Sequence, residues 1–261
     1  MYSYQHRYHA GNFADLHKHI ILLAILTMLK KKDKPFCVLD AFAGEGLYNL
    51  NSKESQKNQE YLYGFDLIRK LLMIPNFAKE LLNIAENYQT TDNAFIYPGS
   101  PTIINAKLRL QDKAIFIENH PQAYAKLRKY FSKYKQVHIH RRDGLEAINA
   151  LIPFKEKRGL IFIDPSYEIK EEYKTISDVV QRAYQKFPHG IYMLWYPLLQ
   201  EARHTILLKE LKCICDNIWK HEWKPRSCSL NSMYGSGVMV FNPPWQFETI
   251  VQEDLDFLSG L

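Results

Sequence analysis

Unbroken apolar runs and amphipathic stretches take turns along most of the chain, and this alternation predicts its elements. Apolar, β-prone runs stand at 36–40 (F-C-V-L-D), 113–118 (K-A-I-F-I-E), 137–140 (V-H-I-H), 160–164 (L-I-F-I-D) and 191–196 (I-Y-M-L-W-Y). Runs with so little polar interruption suit strands buried on both faces of a parallel sheet. Helical periodicity fills the gaps at 121–134, 145–151, 173–187 and 205–217. Two more β segments follow, near 218–228 and 236–242, and the tail after Trp245 reads as a short acidic helix. The pattern predicts an α/β, doubly wound, mostly parallel seven-stranded sheet. Pro165 and Pro197 are expected to end the fourth and fifth strands, because proline donates no ladder N–H.

Outside this alternation lie the N-terminus and one long interruption. Ala10-Gly11-Asn12 is a turn signal, and an amphipathic helix is predicted over 13–31. His17, Lys18 and His19 lie near its start, where histidines are expected at the surface or in capping. Histidines two apart do not share a helix face, so no metal site is expected there. Over sixty residues separate Gly46 from Lys113, more than a crossover needs. Helical patterns at 59–72 and 77–87 occupy this span, and Tyr97-Pro98-Gly99-Ser100-Pro101 reads as a rigid turn back to the sheet. The predicted organisation is a main domain, 1–46 and 97–261, with a helical insertion subdomain, 47–96, as the candidate for substrate specificity.

Composition adds bounds. Hydrophobic residues make up 46% of 261 positions, enough for a sizeable core, and the net charge of +6 is compatible with an anionic partner. Candidate phosphate contacts are the bases from Lys126 to Lys135, Arg141, Arg142 and the run from Lys30 to Lys34. Cys37, Cys213, Cys215 and Cys228 show no metal-like spacing and read as buried or half-buried free thiols of a reducing cytosol. The apolar run 20–29 is too short to span a bilayer and is followed by three lysines, so a cytoplasmic protein with no membrane partner is expected.

The chemistry gathers at strand ends. Asp40, Glu118, Asp143 and Asp164 each end or closely follow a strand, and together they would line the carboxyl edge where open α/β sheets bind ligands. After Asp40 comes Ala41-Phe42-Ala43-Gly44-Glu45-Gly46, whose glycines let a backbone approach a ligand closely. It has no third glycine and no Lys-Ser/Thr, which argues against dinucleotide and ATP loops. A carboxylate after the second strand suits a ribose diol, Asp143-Gly144 suits an adenine edge, and the short loop leaves room for a small zwitterionic tail. These features fit S-adenosylmethionine better than a dinucleotide. Asp164-Pro165-Ser166-Tyr167 sets an acid, a turn and a ring at the end of a central strand, suited to a flat polar nucleobase.

With these residues in view, the chain resembles the class I S-adenosylmethionine-dependent methyltransferases. More narrowly, it is similar to the bacterial 23S ribosomal RNA adenine-N6 methyltransferase J family. The likeness rests on Tyr4–His6, His9–Asp15, Lys18–His19, Leu39–Gly46, Tyr97–Pro101, Glu118–Pro121, Asp143–Gly144, Gly159–Glu168, Trp195–Pro197 and Ser236–Trp245, and covers nearly the whole chain. It implies a Rossmann-like fold and S-adenosylmethionine as cofactor. It implies cofactor contacts from His19, Asp40, Phe42, Gly44, Ser100, Glu118, Asp143, Gly144 and Asp164. Catalysis would fall to Asp164, Pro165 and Tyr167, and the RNA side to Tyr4, His6 and Lys18. The chain departs from the family pattern at Phe42, where histidine is usual, and at Ser166, where proline is usual.

The implied reaction is N6-methylation of an adenine in 23S ribosomal RNA, preferring naked or early-assembly RNA, by a monomer that needs no metal. The Asp164 carboxylate and Pro165 carbonyl would accept the amine hydrogens, and Tyr167 would stack on an unpaired or flipped base. Asn242-Pro243-Pro244-Trp245 resembles an amino-methyltransferase tetrad but follows the last strand, so a structural role is expected. The alternatives are DNA adenine-N6 or RNA guanine-N2 methylation, or a non-catalytic RNA-binding protein.

Overall fold

The computed structural model of the chain describes residues 5–89, 95–226 and 233–261. Tyr4 and Cys228 lie outside them. Among the described residues seven strands form the main sheet: β1 (Cys37–Asp40), β4 (Lys113–Ile117), β5 (Val137–His140), β6 (Gly159–Ile163), β7 (Ile191–Leu198), β8 (Ile218–Trp223) and β9 (Gly235–Phe241). Their order is β5-β4-β1-β6-β7-β9-β8. All pairs from β5 to β7 are parallel, and β9 runs antiparallel to both β7 and β8. The expected mostly parallel seven-stranded sheet is therefore present. Every residue of β1, β6, β7 and β9 is buried, whereas the edge strand β5 alternates and exposes His138 and His140, as an edge position allows.

Helices cover both faces. On one, α1 (Phe13–Lys30) packs against β7, β9, α5 (Ser100–Lys107) and α10 (Phe247–Gly260). On the other, α8 (Glu172–Lys186) joins α7 (Gly144–Leu151) to α9 (His204–Leu211). The expectation of an amphipathic α1 is corrected: of its residues only Thr27 and Lys30 escape full burial. It lies between the sheet and α4 (Asn76–Glu86), so it needs apolar groups all round. Each Leu or Ile buried there contributes about 1.5–3 kcal/mol. His17 and His19 are buried, against the surface or capping role expected of histidines there, and Lys18 is buried with them; the cap is Asn12, whose side chain accepts the Asp15 N–H at 2.9 Å.

Between β1 and β4 the pattern is more broken than predicted. Residues 59–72 are not one helix. Gln59 takes a left-handed φ of 53°, a 3-10 turn covers Glu60–Tyr63, and α3 (Phe65–Arg69) starts after Gly64. Gly64 is required there, because a Cβ would stand 2.3 Å from the Gly11 carbonyl oxygen. The turn read at 97–101 is instead the end of β3 (Ile96–Pro98), paired antiparallel with β2 (Leu47–Asn49), followed by the start of α5. Helix α4 lies against α1 and α10, and Asp254 of α10 accepts the Ala78 N–H at 2.9 Å, serving as a cap from another element.

Two more boundaries move. β7 continues through Pro197, because its β6 partner ends at Ile163, opposite Leu194, and beyond that only the β9 ladder remains, leaving an open side that tolerates proline. Helix α9 stops at Leu211, and the chain turns through 212–217 to enter β8. Cys37 is buried and Cys215 half-buried, as expected, but Cys213 is exposed.

Candidate active site

Strand order reverses between β4 and β6 on either side of β1, and ligands of open α/β sheets bind at such a switch point. A cavity of about 850 Å³ lies there, over the carboxyl ends of β1, β4 and β6. Its volume is near the upper end of the roughly 300–1,000 Å³ typical of ligand sites. Phe42, Gly44, Ser100, Glu118, Asp143 and Gly144 wall one half; His6, Lys18, Pro165, Tyr167 and Trp195 wall the other, with His19 and Asp164 also on the lining. The strand directions thus bring together nearly all the residues singled out from sequence.

The first half is held by backbone. Gly44 and Gly46 take φ of 63° and 81°, which glycine adopts without cost. Glu118 accepts the Gly44 N–H at 2.8 Å on one oxygen and the His120 N–H at 2.7 Å on the other. Burial raises its pKa, and these amide bonds oppose the rise. Asp143 caps α7 by accepting the Glu146 N–H at 2.9 Å. Gly144 packs so closely that a Cβ would meet the Ala41 carbonyl oxygen at 2.1 Å, so the two loops form one wall.

Asp40 is a correction: it does not line the cavity but is fully buried beneath it. Its place in the ladder explains this, since it pairs in register with Phe116 and Phe162 while Asp164 lies beyond the end of β6. One oxygen accepts the Phe42 N–H at 3.3 Å, and among the described residues Oδ2 has no hydrogen-bond partner. Burial pushes its pKa up to about 7, against a Ser100 hydrogen bond that lowers it.

Side chains on side chains build the second half. Lys18, expected to meet RNA, places its ammonium 2.6 Å from Asp164 Oδ2 and 2.8 Å from Asp15 Oδ1. It also stands 5.1 Å from the centre of the Trp195 ring. His6 Nε2 is 3.0 Å from Asp15 Oδ2, so His6, Asp15, Lys18 and Asp164 form one chain. Burial alone would raise Asp15, but His6 and Lys18 hold it well below the usual carboxylate range. Burial raises Asp164, with Lys18 pulling the other way. His19 lies 2.5 Å from the Tyr97 hydroxyl, and burial lowers its pKa to about 3, so its ring is neutral.

Tyr167 holds a left-handed φ of 54°, a conformation that costs a non-glycine residue about 1–3 kcal/mol. It stays there because its hydroxyl donates to the Trp195 carbonyl at 2.8 Å and its ring packs against Tyr173 at 4.6 Å. Sequence reasoning gave no role to Asp15, Trp195 or Ser236. Ser236 Oγ joins the Trp195 indole N–H and the buried His17 ring, each at 2.9 Å, and His17 meets His221 at 2.9 Å. The Asp15–Lys18 spacing of three along a helix was the one signal available. Asn242, by contrast, is structural as expected: its amide donates to the Pro188 and Gly190 carbonyls at 2.8 Å. Among the described residues no cluster of His, Cys, Asp or Glu is placed to hold a metal ion, and no helix is long and apolar enough to cross a membrane.

Comparison with known proteins gives a consistent result. A family model described as "Ribosomal RNA large subunit methyltransferase D, RlmJ" matches residues 33–260. The chain is 38% identical to Ribosomal RNA large subunit methyltransferase J of Haemophilus influenzae, over 99% of this chain and 93% of that protein. It is 35% identical to the protein of the same name from Escherichia coli, over 100% and 94%. The crystal structure of protein LPL1258 from Legionella pneumophila superposes with a TM-score of 0.87 at 36% identity, covering 96% of this chain and 93% of that one.

Proposed function

The chain belongs to the large-subunit ribosomal RNA methyltransferase family, and from that premise we propose that it methylates the N6 amine of an adenine in 23S ribosomal RNA, taken as naked or early-assembly RNA in the cytoplasm. The observation that carries the reading is the turn Asp164-Pro165-Ser166-Tyr167, which faces the same cavity as Glu118 and Asp143 at the switch point of the sheet.

S-adenosylmethionine is the cofactor, and when bound it supplies an activated methyl group on a sulfonium. The residues present fit it: a glycine-bearing loop, carboxylates with acceptor capacity to spare, and the unpartnered Oδ2 of buried Asp40 below. His19, Phe42, Gly44, Ser100, Glu118, Asp143 and Gly144 would hold it, and Asp40 would act from beneath through Ser100 and the Phe42 N–H. On the other side, ionised Asp164 and the Pro165 carbonyl accept the two amine hydrogens, which turns the nitrogen lone pair toward the methyl. Positioning of this kind supplies about 7–11 kcal/mol in well-oriented reactions. Asp164 is also the acceptor for the proton that leaves the methylated amine. Lys18 fixes its Oδ2 and opposes the upward pKa shift that burial imposes, and His6 and Asp15 fix Lys18. Tyr167 forms the aromatic wall for a base brought out of its stack. The insertion 47–96, whose helix α4 rests on α1, is assigned as the specificity-bearing part of a monomer.

The test is methylation of deproteinised 23S ribosomal RNA, assembled subunits and duplex DNA, followed by mass spectrometry of the nucleosides. N6-methyladenosine from the deproteinised RNA is the expected product. N2-methylguanosine, or product from duplex DNA alone, would overturn the assignment.

A further inference from the structure

A second cluster lies on the opposite edge of the sheet. The segments 30–34, K-K-K-D-K, and 155–158, K-E-K-R, lead into the amino ends of β1 and β6 and carry seven basic residues against two acidic ones. They are joined in space. Arg109 donates to the carbonyls of Lys32 and Lys34 at 3.0 and 3.2 Å, and Arg158 donates to Lys34 at 2.7 Å and to Leu29. Buried Asp112 holds Arg109 at 2.8 Å, and Glu156 is taken by Lys113 at 3.1 Å.

Lys31, Lys32, Lys34, Lys155 and Lys157 are exposed, and among the described residues none of the five makes an ion pair. A free loop of like charges would spread apart. Here two arginines spend their donors on the backbone and keep the lysines gathered. The cavity edge has the opposite character: Glu45, Glu60, Glu118, Asp143, Asp164 and Glu168 line it, against Arg7 and Lys18. Both of those cations already sit on carboxylates, Arg7 on Glu45 at 2.9 Å and Lys18 on Asp164 at 2.6 Å. A phosphate chain gains little attraction from that lining, so affinity for a long RNA comes from basic groups outside the cavity.

We infer that the amino edge is an anchoring surface for the phosphate backbone of the RNA substrate, engaging a part of that RNA distant from the methylated nucleotide. The inference rests on the ribosomal RNA reading above. The five residues of β6 separate the two edges by roughly 17 Å, so phosphates held at the lysines are not neighbours of a base in the cavity. The anchor therefore acts only on an RNA large enough to reach both edges.

The test combines Lys31→Gln, Lys32→Gln and Lys34→Gln in one protein. Binding to a full-length 23S ribosomal RNA transcript and to a short single-stranded adenine-containing oligonucleotide is measured across a range of salt, without turnover. For the transcript, the slope of log affinity against log salt should fall by about 2–3, and affinity near physiological salt by about tenfold. Affinity for the oligonucleotide and for S-adenosylmethionine should stay at the wild-type value, the latter also showing that the fold is intact. An unchanged slope for the transcript, or an equal loss on both RNAs, would overturn the inference. Wild-type protein that binds the transcript through these lysines yet methylates no nucleoside would refute the proposed function and leave the anchor standing.

Discussion

Glu118 follows β4 and Asp164 follows β6, one on each side of β1, and burial raises the pKa of both carboxyls. Their partners differ. Glu118 is held by two backbone N–H groups, which do not titrate. Asp164 is held by the Lys18 ammonium, itself fixed by Asp15, which in turn meets His6. The half of the cavity assigned to the cofactor is thus built on main chain, and the half assigned to the acceptor on ionisable side chains. The lesson is that one site holds a permanent shape and a tunable charge side by side, each made from different material.

Substitutions separate the two halves. The largest effect is expected for Asp164→Ala, which should lower methyl transfer by at least about a thousandfold, or ~4 kcal/mol in the barrier. Retained turnover in a radiolabelled-methyl assay would show that the acceptor half does not depend on this carboxylate. Asp40 should act on stability instead. Its folded pKa of about 7 lies above the unfolded value near 4, so the folded state binds the extra proton between them. Its contribution is complete below about pH 4 and is lost as pH rises to about 7, at a slope of at most about 1.4 kcal/mol per pH unit. Urea unfolding of Asp40→Asn should show that slope flattened; a slope equal to the wild type's would count against it.

A smaller effect is expected for Glu118→Gln, whose amide nitrogen cannot accept the N–H that one carboxylate oxygen accepts, so one charge-assisted bond of about 1.5–3 kcal/mol is lost. Calorimetry should find S-adenosylmethionine affinity reduced roughly 10–100-fold, with little change in the rate at saturation. A fall in rate instead would erase the distinction between the halves. The smallest is Tyr167→Phe, which removes the hydrogen bond to the Trp195 carbonyl that holds a strained backbone. Thermal unfolding should show a loss of about 1 kcal/mol.

Much of the frame was legible because buried parallel strands announce themselves as uninterrupted apolar runs; the predicted bounds of β5 match the observed ones residue for residue. Reading failed where a distant partner decided the local outcome. Pro197 stays in β7 only because β9 continues alongside, and α1 is buried all round only because α4 and α10 cover its outer face. Gly64 breaks a helical pattern because the chain must close against Gly11, and Gln59 interrupts it with a left-handed φ of 53°. Within the site, the strand-end acids were visible, but Asp40 looks like the others in sequence and differs only in register. Asp15 and Lys18 were within reach as a helical pair. That their ammonium would end on Asp164 depends on how α1 lies over the sheet.

The most direct test of the tunable half is the pH dependence of the single-turnover rate, with cofactor and RNA saturating, in wild-type protein and in Lys18→Met. Transfer needs ionised Asp164, so the rate should fall as pH drops through that raised pKa. Without Lys18 to oppose burial, the fall should begin at a higher pH while S-adenosylmethionine affinity stays unchanged. An acid limb at the same pH in both proteins would contradict the account.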